Sequence, residues 1–444
     1  MKVAVVGGGI SGLTAAWYAS KLGAEVVVHE ASERLGGKIS RATIAGQQVD
    51  TGADAFLARV PEGIELCRDL GLGDELVSPA TGRAYVWTRG ALRPLPDGLV
   101  LGVPTDLPAL ARSGILSPSG LARAGLDVVL PRVARHPDVD VSVADVITER
   151  FGPELTDRLV DPLLGGINAG RADQLSLESS AAQLAAACRS GRSLVLALRK
   201  QRRSNPPSGA PVFYAVRGGM TGLTDRLCQR LDAAGVWLQT NSPVATLDDV
   251  DADRVIVTTP ASVTAALVGD AAPDAASALR TIEYASVALT LLAYPSSALT
   301  RPLDGSGFLV PRVDGRLMTA CSWASSKWAE LASPETVLLR VSAGRIGDER
   351  TLELDDDELV ERLHLELVEA MGLTAEPSDA TVVRWHRAFP QYRPGHRALV
   401  DRILTDVKDA LPGVELAGAA YRGVGIPACI ATARRAAEAV AGPG

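Results

Sequence analysis

Residues 2–6, KVAVV, are a short apolar run that leads directly into Gly7-Gly8-Gly9-Ile10-Ser11-Gly12. Helical apolar spacing follows from Leu13 to Leu22, and a second buried-strand run, Glu25 to His29, completes the unit. Strand, glycine turn, helix and strand in that order predict a βαβ fold that grips a dinucleotide. Gly7 permits the tight turn, Gly9 lets the backbone approach a pyrophosphate, and Gly12 lets the helix press on the strand. Gly8, Ile10 and Ser11 complete the cradle, where unpaired N–H groups of the helix N-terminus face the phosphates. Glu30, with Ala31 beside it, ends the second strand about 20 residues beyond the glycines, where a carboxylate accepts ribose hydroxyls and disfavours a 2′-phosphate.

The next segment, Glu33-Arg34-Leu35-Gly36-Gly37-Lys38, resembles the second glycine signature of the amine oxidase and phytoene desaturase superfamily of flavoproteins. That resemblance implies FAD, with Arg34, Gly37 and Lys38 along its diphosphate and ribityl chain. The chain has neither a second dinucleotide fingerprint for NADPH nor a CxxC pair. Electrons are therefore expected to enter from an organic substrate and leave to dioxygen, a quinone or a protein acceptor.

Later segments read as returns to the same domain. Arg217-Gly218-Gly219-Met220 opens a helix, and Val236 to Thr240 and Val255 to Thr259 read as short strands. Val244, after Pro243, stands where related flavoproteins present a backbone amide and carbonyl to the adenine. Val414 to Ala417 leads through Gly418 and a glycine-rich turn to Pro427 and an alanine-rich helix. Pro427 suits a first helical turn, because its missing N–H is not needed there. The partial positive charge of that helix end would favour the charge a flavin's pyrimidine edge gains on reduction.

LAGAAYRGVGIPACI near the C-terminus and Asp161-Pro162-Leu163-Leu164-Gly165-Gly166-Ile167-Asn168-Ala169-Gly170, followed by LSLESS, resemble protoporphyrinogen and coproporphyrinogen oxidases. ATGRAYVWTRGALRPLPDG, GVPTDLP and GILSPSGLARAGLDVVLP look like the soluble bacterial branch, whose members make coproporphyrin III. The resemblance runs from end to end. It implies oxygen-dependent six-electron oxidation of coproporphyrinogen III with release of hydrogen peroxide, in haem synthesis. Protoporphyrinogen IX oxidation is the first alternative, followed by amine oxidation or polyene desaturation on the same fold and by a flavin-bound regulator without turnover. Carried over by position, Gly52-Ala53-Asp54-Ala55 border the flavin ring, and Val244, Trp385, Val424, Gly425 and Ile426 are further contacts. No catalytic residue is implied, and no lysine is placed beside the ring as amine oxidases place one.

The expected architecture mixes α/β and α+β parts: a Rossmann-like FAD-binding domain, an antiparallel-sheet substrate domain and a helical middle lobe. Expected boundaries are 1–82 for the first FAD-binding part, with the substrate domain starting from about 52, 83–207 for the lobe, 208–280 for the second FAD part, 281–400 for the substrate domain and 401–444 for the third FAD part. The lobe contains the turns Ser117-Pro118-Ser119-Gly120 and Asn205-Pro206-Pro207, and Arg199-Lys200-Gln201-Arg202-Arg203 reads as a solvated basic loop. Arg83, Arg89 and Arg93 are candidates to meet substrate carboxylates.

A net charge of −7 offers no broad field for nucleic acid. Five scattered cysteines without metal-ligand spacing suggest reduced thiols, no metal and FAD held without a covalent bond. His29, His136, His364, His386 and His396 show no pairing that marks a base. No apolar run approaches the roughly 20 residues that span a bilayer, and the first strand leaves no space for a targeting segment ahead of it. The expected location is therefore the cytoplasm, with peripheral membrane contact not expected. A contact with ferrochelatase follows from pathway logic alone.

Overall fold

The computed structural model describes residues 1–131, 139–204, 209 and 211–442. His136 and the turn at Asn205-Pro206-Pro207 lie outside the described residues.

One layer is a five-stranded parallel sheet in the order Trp237–Gln239, Glu25–His29, Lys2–Val6, Arg254–Val257, Val414–Leu416. Three distant parts of the chain supply it, and the strand order reverses beside Lys2–Val6. Ligands of such sheets bind at the carboxyl ends of the strands, at that reversal. The helix Ile10–Lys21 packs on the sheet together with Thr221–Ala233 and Ile426–Ala441. Ala15, Ala16 and Ala19 share one buried cluster with Ala433 and Ala437, side chains small enough for two helices to approach closely.

The second layer is a seven-stranded sheet in the order Asp379–Pro390, Tyr284–Pro295, Thr336–Ala343, Met318–Trp323, Gly307–Leu309, Tyr85–Thr88, Ala91–Pro94. Strand Tyr284–Pro295 is buried on both faces from Ala288 to Tyr294, which explains why that stretch reads as an apolar run broken only by Thr290. Helix Asp356–Met371 covers one face with Leu359, Leu363 and Leu367, which cluster with Leu292, Tyr294 and Leu339.

Two expectations change here. The sheet is mixed rather than antiparallel, because Gly307–Leu309 pairs in parallel with Tyr85–Thr88. Those strands are more than 200 residues apart, so no hairpin fixes their relative direction. The expected lobe boundary at 83 also moves, since Tyr85–Thr88 and Ala91–Pro94 form the far edge of this sheet. At the other end, helix His396–Ala410 crosses the expected 400/401 boundary and packs Val400 and Ile403 with Leu416 and Tyr421 of the flavin-side layer.

The helical lobe runs from Leu107–Ser113 to Leu194–Ser204 around Leu110, Ile147, Phe151, Leu159 and Leu198. A buried ion pair sits inside it: Arg150 Nε donates to Asp127 Oδ1 at 2.7 Å, and the Ser193 hydroxyl donates to Asp127 Oδ2 at 2.6 Å. Ser117 is the N-cap of helix Pro118–Gly125, its hydroxyl accepting from Gly120 N–H. Arg199 to Arg203 lie in helix Leu194–Ser204 rather than a solvated loop, with Arg199 donating to the Thr105 carbonyl and Arg202 to the Thr105 hydroxyl. Among the described residues, no helix is long and apolar enough to cross a membrane.

Candidate flavin site

The two glycine loops meet at the carboxyl end of Lys2–Val6. Gly36 N–H donates to the Gly8 carbonyl at 2.8 Å, and a Cβ at Gly37 would stand 3.1 Å from Gly9 Cα. A Cβ at Gly12 would lie 1.8 Å from the Gly7 carbonyl oxygen, and one at Gly8 would lie 2.5 Å from a Leu35 methyl. Those glycines are required by the fold itself. Gly9 differs, because a Cβ there would meet only Gly37 Cα, at 3.9 Å, and otherwise project into open space. The helix behind it has Gly9 as N-cap, no side-chain cap and no acid in its first turn, so Ile10 and Ser11 open a helix end left for an anion. A side chain at Gly9 would fill that cradle, and the residues present therefore fit a flavin dinucleotide's diphosphate.

Glu30 Oε2 accepts from Gly8 N–H at 2.7 Å, and Oε1 accepts from Ser32 N–H at 2.9 Å and its hydroxyl at 2.7 Å. Ala31 is exposed beside it. Ser242 N–H donates to the Glu30 carbonyl, which brings Pro243 and half-buried Val244 alongside the same loop. Arg34 turns back on its own loop, donating to the carbonyls of Leu35, Ile39 and Gly37. Lys38 Nζ reaches the Ala388 carbonyl at 2.5 Å, and burial pushes its pKa down.

The C-terminal turn closes on the first helix. Gly418 takes φ +125° and donates its N–H to the Thr432 hydroxyl, and a Cβ on it would stand 3.7 Å from Ser11 Oγ. Half-buried Val424 and the N-cap Gly425 precede Ile426–Ala441, a second helix without a side-chain cap or an acid in its first turn. On the opposite wall, Trp385 Nε1 donates to the Thr51 carbonyl at 2.7 Å, beside Gly52 and Ala53.

Two uncapped helix ends and two interlocked glycine loops thus surround one cradle. Residues 10–441 match the model of the flavin-containing amine oxidoreductases. The chain belongs to that family. A relative from Bacillus subtilis, named coproporphyrinogen III oxidase, is 34% identical across 96% of this chain and 95% of its own length. The protoporphyrinogen oxidase of Bos taurus is 29% identical across 99% and 98%. A solved structure from Exiguobacterium sp. 255-15 superposes with a TM-score of 0.88 at 30% identity, covering 99% of this chain and 98% of that one.

As a member of the amine oxidoreductase family, the chain holds a flavin, and Glu30 is the residue expected from its spacing to meet the ribose. Glu30→Ala is expected to weaken flavin retention roughly 10- to 100-fold, the loss of one or two charge-assisted hydrogen bonds. Equilibrium dialysis of flavin measures this, and unchanged affinity would remove Glu30 from the site.

The loop at Gly52-Ala53-Asp54-Ala55 carries a cluster that the sequence did not reveal. Asp54 Oδ2 lies 2.7 Å from Lys327 Nζ and 2.7 Å from Arg340, and Trp328 Nε1 donates to it at 3.3 Å. Burial alone would raise the pKa of Asp54, but Lys327 and Arg340 outweigh it and hold the carboxyl well below its usual range. Arg340 also donates to the Gly52 carbonyl, so the loop is tied to the central strands of the large sheet. The partners lie more than 270 residues away, and Arg340 inside the apolar run VLLRVSA was the one local signal of a buried cation.

Asp50, at the base of this loop, accepts from Met220 N–H at 2.9 and 3.1 Å, and burial raises its pKa to about 6. The folded state therefore binds this proton more tightly than the unfolded chain. The resulting stabilisation is complete below the ordinary carboxylate range and is lost as the pH rises through about 6. Wild type is expected to lose about 2 kcal/mol between pH 4 and 7 relative to Asp50→Asn, which keeps an acceptor for Met220. Urea unfolding of both proteins across that range checks this, and parallel curves would contradict it.

The three arginines proposed for substrate carboxylates turn elsewhere. Arg83 pairs with Asp304 at 2.9 Å on the surface, with 60% of its side chain exposed. Arg89, at φ +53°, faces Glu154 of the helical lobe, and Arg93 donates to the Thr88 carbonyl. The structure does not bring them together with the glycine loops.

Proposed function

We propose that the chain is an FAD-dependent oxidase that converts coproporphyrinogen III to coproporphyrin III in haem synthesis. Six electrons pass to dioxygen in three two-electron cycles, with release of hydrogen peroxide. The observation that carries this reading is end-to-end identity of 34% with a protein named coproporphyrinogen III oxidase. FAD, when bound, supplies the hydride acceptor for a porphyrinogen carbon.

The chain's own residues bind and orient. The first uncapped helix and Gly9 hold the diphosphate, Glu30 holds the adenosine ribose, and Val244 meets the adenine. Gly52, Ala53 and Ala55 border the isoalloxazine with Trp385, while Lys38 and Gly37 follow the ribityl chain. Gly418, Val424, Gly425 and Ile426 bring the positive end of the last helix to the pyrimidine edge, where it favours negative charge. Asp54 keeps the ring-side loop rigid through its ion pairs. The cofactor is held without a covalent bond: Cys429, the cysteine in the last helix's first turn, is buried and its pKa is raised by that burial. The reading places the enzyme in the cytoplasm, with its iron-free product passed to a ferrochelatase.

Anaerobic addition of coproporphyrinogen III should bleach the flavin and yield a fluorescent porphyrin. A flavin that stays oxidised would contradict the assignment. Protoporphyrinogen IX oxidation is the second reading, favoured by the identity with the bovine enzyme.

A further inference from the structure

Three arginines are buried in the described residues: Arg150, Arg340 and Arg345, at 4%, 7% and 6% exposure. Arg150 is paired with Asp127, and Arg340 with Asp54. The Arg345 Nε is sealed from solvent without a hydrogen-bond partner among the described residues, with Asp161 and Asp348 the carboxylates near the guanidinium. The nearby carboxylates are engaged elsewhere. Asp161 accepts from Ala172 N–H at 2.9 Å and faces Arg312 at 3.6 Å, and Asp348 is held by Arg350 at 2.7 Å. A guanidinium cannot shed its proton to escape burial, so an unpaired one calls for an anion from outside the chain.

The position of Arg345 says which anion. It follows Gly344 at the end of strand Thr336–Ala343, and a Cβ on Gly344 would stand 3.2 Å from Val287 Cα. Val287 is the cross-strand partner of Trp385. Arg345 is thus roughly two strand spacings, about 4.8 Å each, from the tryptophan placed against the flavin. On its other side, Ile346 N–H donates to the Ala169 carbonyl at the end of helix Asp161–Asn168. Between that helix and the sheet lies a small cleft lined by Pro162, Gly165, Gly166, Val310, Thr319 and Arg345. The two glycines leave the helix face beside the guanidinium bare of side chains.

We infer that Arg345 is a substrate-binding residue whose guanidinium holds one propionate of the porphyrinogen in this cleft while the macrocycle lies over the flavin. The inference rests on the proposed porphyrinogen oxidation and names the contact that selects an acidic macrocycle. A guanidinium and a carboxylate form paired, charge-assisted hydrogen bonds, which orient the substrate as well as hold it.

The test is binding of coproporphyrin III and of its tetramethyl ester to the holoenzyme, followed by porphyrin fluorescence. Arg345→Gln should weaken binding of the acid about tenfold or more and leave the ester unchanged, with flavin content as wild type. Thr319→Asp places an internal carboxylate in the cleft. It should raise the thermal midpoint by pairing the buried cation, and weaken binding of the acid to the same degree, so it decides the matter if Arg345→Gln fails to fold. Wild-type affinity for the acid in either folded variant, or equal weakening for acid and ester, would overturn the assignment. A wild-type holoenzyme that neither binds coproporphyrin III nor oxidises its porphyrinogen would overturn the proposed function, and this assignment with it.

Discussion

Gly9→Val should yield a folded, colourless protein. Gly9 has extended backbone angles, φ −74° and ψ −178°, which valine adopts readily. A Cβ at this position meets a single backbone atom within 4 Å, Gly37 Cα at 3.9 Å. On the proposed placement of the cofactor, the side chain would fill the approach of a diphosphate to the first helix end. The expected loss in flavin affinity exceeds about 100-fold, since at least two charge-assisted hydrogen bonds from backbone N–H groups are displaced. The thermal midpoint of the apoprotein should stay within a few degrees of wild-type apoprotein. Gly12→Val is the contrasting control: its Cβ would fall 1.8 Å from the Gly7 carbonyl oxygen, and the βαβ unit itself should fail. The ratio of flavin to protein absorbance after purification measures the first effect. A Gly9→Val protein that purifies with full flavin would remove this loop from the diphosphate.

Asp54→Ala should destabilise the protein by about 3 kcal/mol, because it leaves Lys327 and Arg340 facing each other with no anion between them. The side chains of Asp54 and Lys327 are each 17% exposed and that of Arg340 8%, so water screens the repulsion only in part. The double variant Asp54→Ala, Lys327→Met removes one of the stranded cations and should recover part of the loss. Denaturant unfolding of wild type, the single variant and the double variant gives both numbers. A cost below about 1 kcal/mol for Asp54→Ala would mean the cluster behaves as a surface ion pair.

The features legible in the sequence are those whose physics is local. Lys2–Val6, the glycine turn and Ile10–Lys21 encode their own geometry within 20 residues, and Glu30 follows at a spacing the βαβ unit fixes. Tyr284–Pro295 could be read because burial on both faces removes every polar residue but Ser286 and Thr290. What escaped depends on pairings between distant segments. Nothing in Tyr85–Thr88 announces a parallel partner at Gly307–Leu309, so the sequence alone groups this hairpin with the helical lobe that follows it. The same distance hides Lys327 and Arg340 from Asp54, and it hides the partners of Arg83 and Arg89, Asp304 and Glu154. Arg199 to Arg203 resembled a loop because charge was the visible signal, whereas the structure uses two of these arginines to fasten a helix end to Thr105.

The central claim, oxidation of a four-propionate porphyrinogen by dioxygen, is tested most directly by side-by-side steady-state turnover of coproporphyrinogen III and protoporphyrinogen IX at one oxygen concentration. Porphyrin fluorescence and oxygen uptake are followed together. The account predicts three molecules of dioxygen consumed per porphyrin formed. It also predicts a higher kcat/KM for coproporphyrinogen III, since a site built for carboxylates leaves buried donors unpaired against vinyl groups at about 1–3 kcal/mol each. Equal or reversed efficiencies for the two substrates would contradict it.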